Sequence, residues 1–210
     1  MIKLVLKDFM LMKKITLLGI IYTFVITAAS LKTEPEIGNV MYCFLIICMT
    51  YVSVLYADGY DETNKGYLIL ASLPLKRHLL VAAKYLSLGA YYMIYAIVPV
   101  VIMAVASIIQ GQGLMLYSPY AALGSFVFIG ILYSIYYPVY YKFGYSALKI
   151  YKIIVFLFIV MTPKLFVYAV KLPFVSSVNN YIIFAVLTVS ALIIISYMIS
   201  VSIYEKKELI

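Results

Sequence analysis

The residues that could support catalysis or ion binding are few, and they avoid the long apolar runs of this sequence. Among 210 residues there are eight acids, one histidine and two cysteines. An enzyme or ion-coupled transporter that works inside a membrane usually keeps ionisable side chains within its spans. All eight acids are predicted to lie in loops or tails: Asp8, Glu34, Glu36, Asp58, Asp61, Glu62, Glu205 and Glu208. The sequence therefore predicts no intramembrane catalytic centre and no coupling-ion site.

Metal, thiol and nucleotide chemistry find no support either. His78 stands at the edge of an apolar run beside Arg77, where a lipid headgroup is its expected neighbour. Cys43 and Cys48 lie five residues apart in one apolar run, in no metal or disulfide pattern. The sequence has no glycine-rich phosphate loop followed by Lys-Ser or Lys-Thr, so no cofactor or metal is expected and the chain should not hydrolyse ATP alone. A passive channel or an externally powered transporter remains.

The composition places the chain in a membrane. Hydrophobic residues make up 66% of the sequence and charged residues 11%, too few for the surface of a soluble domain. Lipid leaves no partner for an open strand edge, and no run alternates as a barrel strand does, so the spans must be helices. We predict one all-α membrane domain over residues 1–210 with six spans near residues 15–29, 37–56, 79–108, 120–141, from 153, and 181–204.

The lysines and arginines predict the orientation. With six spans and a cytoplasmic N-terminus, thirteen of the sixteen basic residues fall on the cytoplasmic side. The three exceptions are Lys32, Lys164 and Lys171. Cytoplasmic loops carry the excess of Lys and Arg, so both termini of this plasma-membrane protein are expected in the cytoplasm.

Residues 1–14 form an amphipathic pattern. At ~100° per residue, Lys3, Lys7 and Lys14 share one stripe, and an apolar face lies opposite. This pattern predicts an interfacial helix with its lysines toward anionic headgroups. The alternative is a frayed polar tail.

Tyrosine is the commonest aromatic residue, with 23 copies and no tryptophan. Many tyrosines stand at span ends, as in the aromatic belts of membrane proteins. Others are predicted near mid-span, where each hydroxyl needs a partner: Tyr91, Tyr92, Tyr95, Tyr133, Tyr136 and Tyr137. They either pack between helices or line a wet cavity.

The segment 60–76 is the one polar, helix-like insertion between two spans. Asp61 is suited to an N-cap, with Glu62 in the first turn that follows. Apolar residues recur behind them at three- and four-residue spacing, Pro74 ends the pattern, and Arg77 is expected among headgroups. A helix this short cannot span the membrane, so it rests on lipid or docks a cytosolic partner.

The run "YDETNKGYLILASLPLKRHLLVAAKYL" resembles the segment between spans two and three of small six-span ABC exporter permeases. It is most similar to the permease subunits of the phenol-soluble modulin exporter. The resemblance implies that two permeases pair, as identical or sister chains, and that each docks one ABC ATP-binding subunit that carries ATP and Mg. The insertion is then a coupling helix over about residues 62–73. Amphipathic peptides are the implied export substrate, although lipids or hydrophobic antibiotics suit the spans equally.

The resemblance also implies which residues meet the ATP-binding subunit. The docking set is Asp61, Glu62, Asn64, Lys65, Tyr67, Leu68, Leu70 and Leu73. A second cytoplasmic contact is expected from Lys142, Lys149 and Lys152.

The fifth span contains a proline and a charge at Thr162-Pro163-Lys164. Proline removes a backbone donor and disfavours helix at the preceding residue, which predicts a break after Thr162. In that case residues 163–180 form a re-entrant cap at the outer face, a feature that the resemblance also implies. Alternatively, Lys164 extends toward the headgroups or lines a wet passage as a substrate contact.

A second function class remains open. The chain could be a self-contained channel, or an immunity or structural membrane protein, with no ATPase partner. A neighbouring reading frame that encodes an ABC ATPase would favour the exporter.

Overall fold

A computed structural model describes the chain over residues 2–11, 13–64, 76–111, 116–170 and 178–206. These residues form seven α-helices and one short 3₁₀-helix: α1 (Ile2–Leu11), α2 (Lys13–Ser30), α3 (Pro35–Thr63), α4 (Arg77–Ile109), α5 (Pro119–Phe143), the 3₁₀-helix Ser146–Leu148, α6 (Lys149–Val170) and α7 (Val178–Lys206). The prediction of an all-α protein is confirmed for the described residues, which contain no strand.

Local sequence explains the best-defined helix ends. Pro35 and Pro119 begin α3 and α5, since proline has the helical φ and lacks an N–H that would be unpaired there. Gly144 ends α5 with a φ of 82°, a left-handed conformation that glycine adopts without strain. The next residues turn directly into the 3₁₀-helix and α6.

A helix lies at each of the six predicted span positions. By length and composition, four described helices could cross a membrane, namely α3, α4, α5 and α7. The apolar part of α2, Ile15–Ser30, is shorter. The count of six membrane-crossing helices therefore stays a prediction.

The helix α3 is the centre of the bundle. It packs against α2, α4, α5 and α6. In its most apolar stretch of 18 residues, 61% of the residues are buried. The corresponding buried share in the other three candidate spans is between 17% and 33%. The most extensive pairing of two helices is that of α5 with α7.

The tyrosines predicted near mid-span lie between helices. Tyr91, Tyr95, Tyr133, Tyr136 and Tyr137 are buried and Tyr92 is half-buried. The Tyr95 hydroxyl bonds Ser53 Oγ at 3.0 Å, and the Tyr92 hydroxyl donates to the Ala122 carbonyl at 2.8 Å. These rings pack between helices, and Tyr92 also lines a cleft between α4, α5 and α7.

The prediction of a break after Thr162 is wrong. The backbone of α6 continues through Pro163 and Lys164 to Val170, so a re-entrant cap cannot begin at residue 163. Proline costs a helix one hydrogen bond, whereas an ended helix leaves several backbone groups without partners in an apolar medium. The positions of the Pro163 and Lys164 side chains, and residues 171–177, lie outside what the structure describes.

Candidate functional site

Five charged side chains meet where α1, α3 and α4 come together. We call this set the charge cluster: Lys7 and Asp8 from α1, Asp58 and Asp61 from α3, and Lys84 from α4. All five belong to helices, which corrects the expectation that the acids lie in loops or tails. Asp58 stands five residues before the end of α3, and Lys84 stands seven residues after the start of α4.

Lys84 is the hub of the charge cluster. Its Nζ lies 2.6 Å from Asp61 Oδ2, 3.0 Å from Asp58 Oδ1 and 3.8 Å from Asp8 Oδ2. One ammonium therefore connects the carboxylates of two other helices. Its side chain is only 12% exposed, so water screens these ion pairs weakly.

The second lysine closes the network from α1. Lys7 Nζ lies 2.9 Å from Asp61 Oδ1 and 3.4 Å from Asp8 Oδ1. Lys7 thus faces the bundle, which corrects the expectation that it points to headgroups. The exposed apolar residues of α1 include Leu6 and Met10. The packed side of this helix is therefore at least partly the charged one.

Two hydroxyl groups complete the coordination of the buried acids. Ser87 Oγ donates to Asp8 Oδ2 at 2.9 Å, and the Tyr136 hydroxyl of α5 donates to Asp58 Oδ2 at 3.1 Å. Asp8, Asp58 and Asp61 are between 0% and 5% exposed. Buried charges persist only when they are paired and hydrogen-bonded in this way.

Such a cluster is poorly explained by stability alone. Desolvation of buried charges offsets most of their attraction, and well-packed apolar residues are often equally stable. Ionisable residues inside membrane spans are rare and commonly mark functional positions. The described residues contain no group of His, Cys, Asp or Glu that could hold a metal ion.

The charge cluster stands next to the segment predicted to dock a partner. Asp61 is in the last turn of α3, because that helix extends to Thr63; its prediction as the N-cap of a following helix is wrong. Glu62 is half-buried and Asn64 is exposed, with Asn64 Nδ2 donating to the Tyr60 carbonyl at 2.9 Å. The other predicted docking residues lie outside the described residues: Lys65, Tyr67, Leu68, Leu70 and Leu73.

A second set of hydrogen bonds holds the chain at the start of α4, directly after this segment. The Arg77 guanidinium donates to the carbonyl oxygens of Tyr204 and Glu205, at 3.2 Å and 2.9 Å. Arg77 thus links the start of α4 to the end of α7, rather than serving only as a headgroup anchor. Asp61 before residues 65–75 and Arg77 after them both hold the chain to the bundle.

The three lysines of the predicted second contact differ in exposure and in their partners. Lys142 and Lys149 are exposed. Lys152 instead donates to the Tyr145 carbonyl at 2.9 Å and lies over the Tyr145 ring. The loop at Tyr145 packs on α3, where a Cβ on Gly59 would meet the Tyr145 hydroxyl at 2.8 Å. Burial, together with the negative charges of Asp58 and Glu62, raises the pKa of Tyr145.

Sequence reasoning missed the charge cluster because its partners are distant in the chain. One local signal was available: Asp58 and Asp61 are three residues apart, which puts them on one face if the helix continues past Tyr56. The apolar run ends near that residue, so the helix was predicted to end there too.

Comparison with known proteins agrees with a transport function. No curated protein and no solved structure matches the chain. The family described as ABC-2 family transporter protein matches residues 3–205, which is nearly the whole sequence and includes every residue of the charge cluster. Members of this family are transmembrane permease components and are not themselves catalytic. The chain therefore belongs to the ABC-2 transporter family.

Proposed function

We propose that this chain is the permease subunit of an ATP-driven exporter of amphipathic peptides and is driven by a separate ABC ATP-binding subunit. The family match over residues 3–205 supports the permease part of this proposal, and the peptide substrate rests on the resemblance of residues 60–86. ABC-2 permeases lie in the membrane and normally work with an ATP-binding subunit. The sequence also has no phosphate-binding loop of its own, so the energy must come from another chain.

The docking surface in this proposal is the coupling segment at residues 62–73. Its sequence is too short to span and too apolar to stay in water. The flanking helices α3 and α4 pack directly on each other, and α3 is the centre of the bundle. A force applied to the segment therefore acts on the most connected helix of the permease.

The ion pairs of the charge cluster connect the docking segment to α1 and α4. Asp61 is one residue before the segment, and it bonds Lys84 on α4 and Lys7 on α1. If the ATP-binding subunit displaces the segment, α1 and α4 must follow or these ion pairs must break. Lys84 and Asp61 are thus positioning residues that join the docking segment to the spans.

The export substrate follows from the resemblance and from the absence of other energy sources. The buried acids Asp8, Asp58 and Asp61 are each paired with a lysine of the charge cluster, which favours ATP-driven export over coupling to an ion. An amphipathic peptide can use the apolar, tyrosine-rich surfaces that two paired permeases would enclose. A homodimer or a pair of sister permeases satisfies this arrangement.

Co-purification tests the proposal most directly. The permease should be expressed with any ABC ATPase that a neighbouring reading frame encodes and isolated through a tag on the permease. We expect a stable complex that hydrolyses ATP and moves a fluorescent amphipathic peptide into inverted vesicles. A permease that never retains an ATPase, yet conducts ions or solutes in liposomes, would instead be a self-contained channel.

A further inference from the structure

A cleft between α4, α5 and α7 lies apart from the charge cluster. Its volume is about 320 Å³, within the range of about 300–1,000 Å³ that is usual for small-molecule sites. Ten residues line it: Tyr85, Leu88, Gly89, Tyr92, Phe126, Ile129, Gly130, Ser190, Ile193 and Ile194. Seven of them are apolar or glycine, and three carry a hydroxyl.

Each of the three hydroxyls already has a partner inside the protein. Tyr85 bonds Ser196 Oγ at 2.7 Å, Tyr92 donates to the Ala122 carbonyl at 2.8 Å, and Ser190 donates to the Val186 carbonyl at 2.8 Å. A ligand that fills the cleft therefore gains burial of apolar surface without needing a hydrogen bond. This chemistry selects a hydrocarbon chain over a polar molecule.

The position of the cleft in the membrane agrees with that chemistry. Gly89 is four residues, or ~6 Å along the axis, from the midpoint of the 33-residue helix α4, well inside a ~30 Å layer centred on that helix. Gly89 and Ile194 on the rim are exposed, and so are Met93 and Ile97, the next apolar residues along the same face of α4. The cleft thus opens at the depth where lipid tails, rather than headgroups, lie.

A glycine makes the opening. A Cβ added at Gly89 would meet no atom within 4 Å, so the space beside it is empty of protein. Gly130 on the far wall has the opposite role, since its Cβ would collide with Val189 of α7. The two glycines together allow α5 and α7 to pack closely while the side facing α4 stays open.

We propose that this cleft binds the acyl chain of a membrane phospholipid. The inference is independent of the proposed export function. It depends only on the shape and depth of the cleft and on the internal hydrogen bonds of its three hydroxyl groups. The chain end reaches past the rim to Leu88 and Ile129, which are 7% and 4% exposed. Lipid that only covers the outer surface would not contact these two side chains.

Photolabelling in phosphatidylglycerol vesicles tests this proposal. The permease is reconstituted with phosphatidylglycerol that carries a diazirine at the end of one acyl chain, and with a second probe that carries it beside the headgroup. We expect the chain-end probe to label Leu88 and Ile129 and the headgroup probe to leave them unlabelled. Labelling at Leu157, an exposed residue of α6, reports general lipid contact in every sample.

Three glycine variants supply matched controls. Gly89→Leu fills the cleft with four carbon atoms. Each methylene contact that the acyl chain loses lowers its affinity by about fourfold, so labelling of Leu88 and Ile129 should fall at least about tenfold. Gly124→Leu places the same side chain in another open space outside the cleft, and Gly89→Ala adds only one carbon. Gly124→Leu should keep labelling near the wild-type level, Gly89→Ala should lower it by no more than about fourfold, and all three should keep Leu157 labelled.

Three results would overturn the proposal. The first is unchanged labelling of Leu88 and Ile129 in Gly89→Leu. The second is displacement of the label by excess amphipathic peptide, which would assign the cleft to an export substrate. The third is disulfide formation between two copies through Gly89→Cys in a variant without Cys43 and Cys48, which would mean that a second copy covers the cleft.

Discussion

The ammonium of Lys84 lies 2.6 Å from Asp61 Oδ2, and this contact joins the middle of the charge cluster to the last turn of α3. The two residues are 23 positions apart, with the whole docking segment between them. Their bond therefore ties together the two parts of the chain that flank residues 65–75. Lys84 also pairs with Asp58, so a change at this one residue affects both aspartates of α3.

Removal of the Lys84 ammonium should destabilise the permease strongly. Lys84→Ala leaves three buried carboxylates with only Lys7, and loss of one partner of a buried ion pair typically costs about 3–5 kcal/mol. The free energy of unfolding in mixed micelles measures this effect. Lys142→Ala removes an exposed lysine and should change that free energy by less than about 0.5 kcal/mol. Equal losses in both variants would mean that Lys84 is not a structural hub.

An apolar replacement of the cluster should separate stability from coupling. Lys84→Met combined with Asp58→Leu and Asp61→Leu removes three of the five charges and their desolvation and leaves Lys7 paired with Asp8, so stability should return to within about 2 kcal/mol of the wild type. Peptide transport should nevertheless fall at least about tenfold, because the docking segment has lost its bonds to α1 and α4.

The readout for this triple variant is the ratio of peptide transported to ATP hydrolysed. The ATP-binding subunit should still co-purify, since Asp61 is only 5% exposed and bonds inside the cluster, and the variant leaves residues 62–73 unchanged. A triple variant with a normal transport ratio would rule out the cluster as the path of coupling. It would leave the docking proposal intact.

The sequence predicted the helices well because long apolar runs have few alternatives in a membrane. The positions of α2, α3, α4, α5, α6 and α7 all follow from such runs. The ends of the helices are harder to predict from sequence. The helix α3, for example, extends seven residues beyond Tyr56 into polar sequence. Those added residues include Asp58 and Asp61, whose burial depends on partners that only the folded bundle provides.

Pro163 and Lys7 illustrate two other limits of the sequence. Proline at 163 lowers the local helix propensity, but the apolar surroundings favour a continued α6 because they offer no other backbone partners. Lys7 shares a stripe with two other lysines, a pattern that fits a headgroup-facing helix equally well. Its actual direction is determined by Asp61, which is 54 residues away in the chain.

The packing of α5 on α7 should be sensitive to a single methyl group. A Cβ at Gly130 would collide with Val189, so Gly130→Ala should push the helices apart and destabilise the bundle by about 1–3 kcal/mol. Gly124→Ala on the same helix meets nothing within 4 Å and should be neutral or stabilising by up to about 1 kcal/mol. Thermal unfolding in detergent compares the two, and equal melting temperatures would contradict the close packing.

The predicted orientation can be tested by thiol labelling. In a variant without Cys43 and Cys48, a cysteine at Gln112 should react with an impermeant reagent from outside the cell, because few basic residues lie on that side. A cysteine at Ser146, in the 3₁₀-helix, should react only after the membrane is opened. The reverse pattern would invert the orientation and remove the docking segment from the cytoplasm.

The docking segment itself should release the ATP-binding subunit when its apolar face is charged. Tyr67→Asp combined with Leu70→Asp removes two apolar anchors, each contributing ~25 cal/mol per Å² of buried surface, and would force carboxylates into a dry contact. We expect the variant to reach the membrane at a normal level but to retain at least about tenfold less ATPase in a pull-down.

Leu116→Asp adds a charge at an exposed apolar residue beyond the other end of α4 and should retain the full amount. A double variant that still binds a full complement of ATPase would place the docking surface elsewhere, whereas loss of ATPase in Leu116→Asp as well would point to general misfolding.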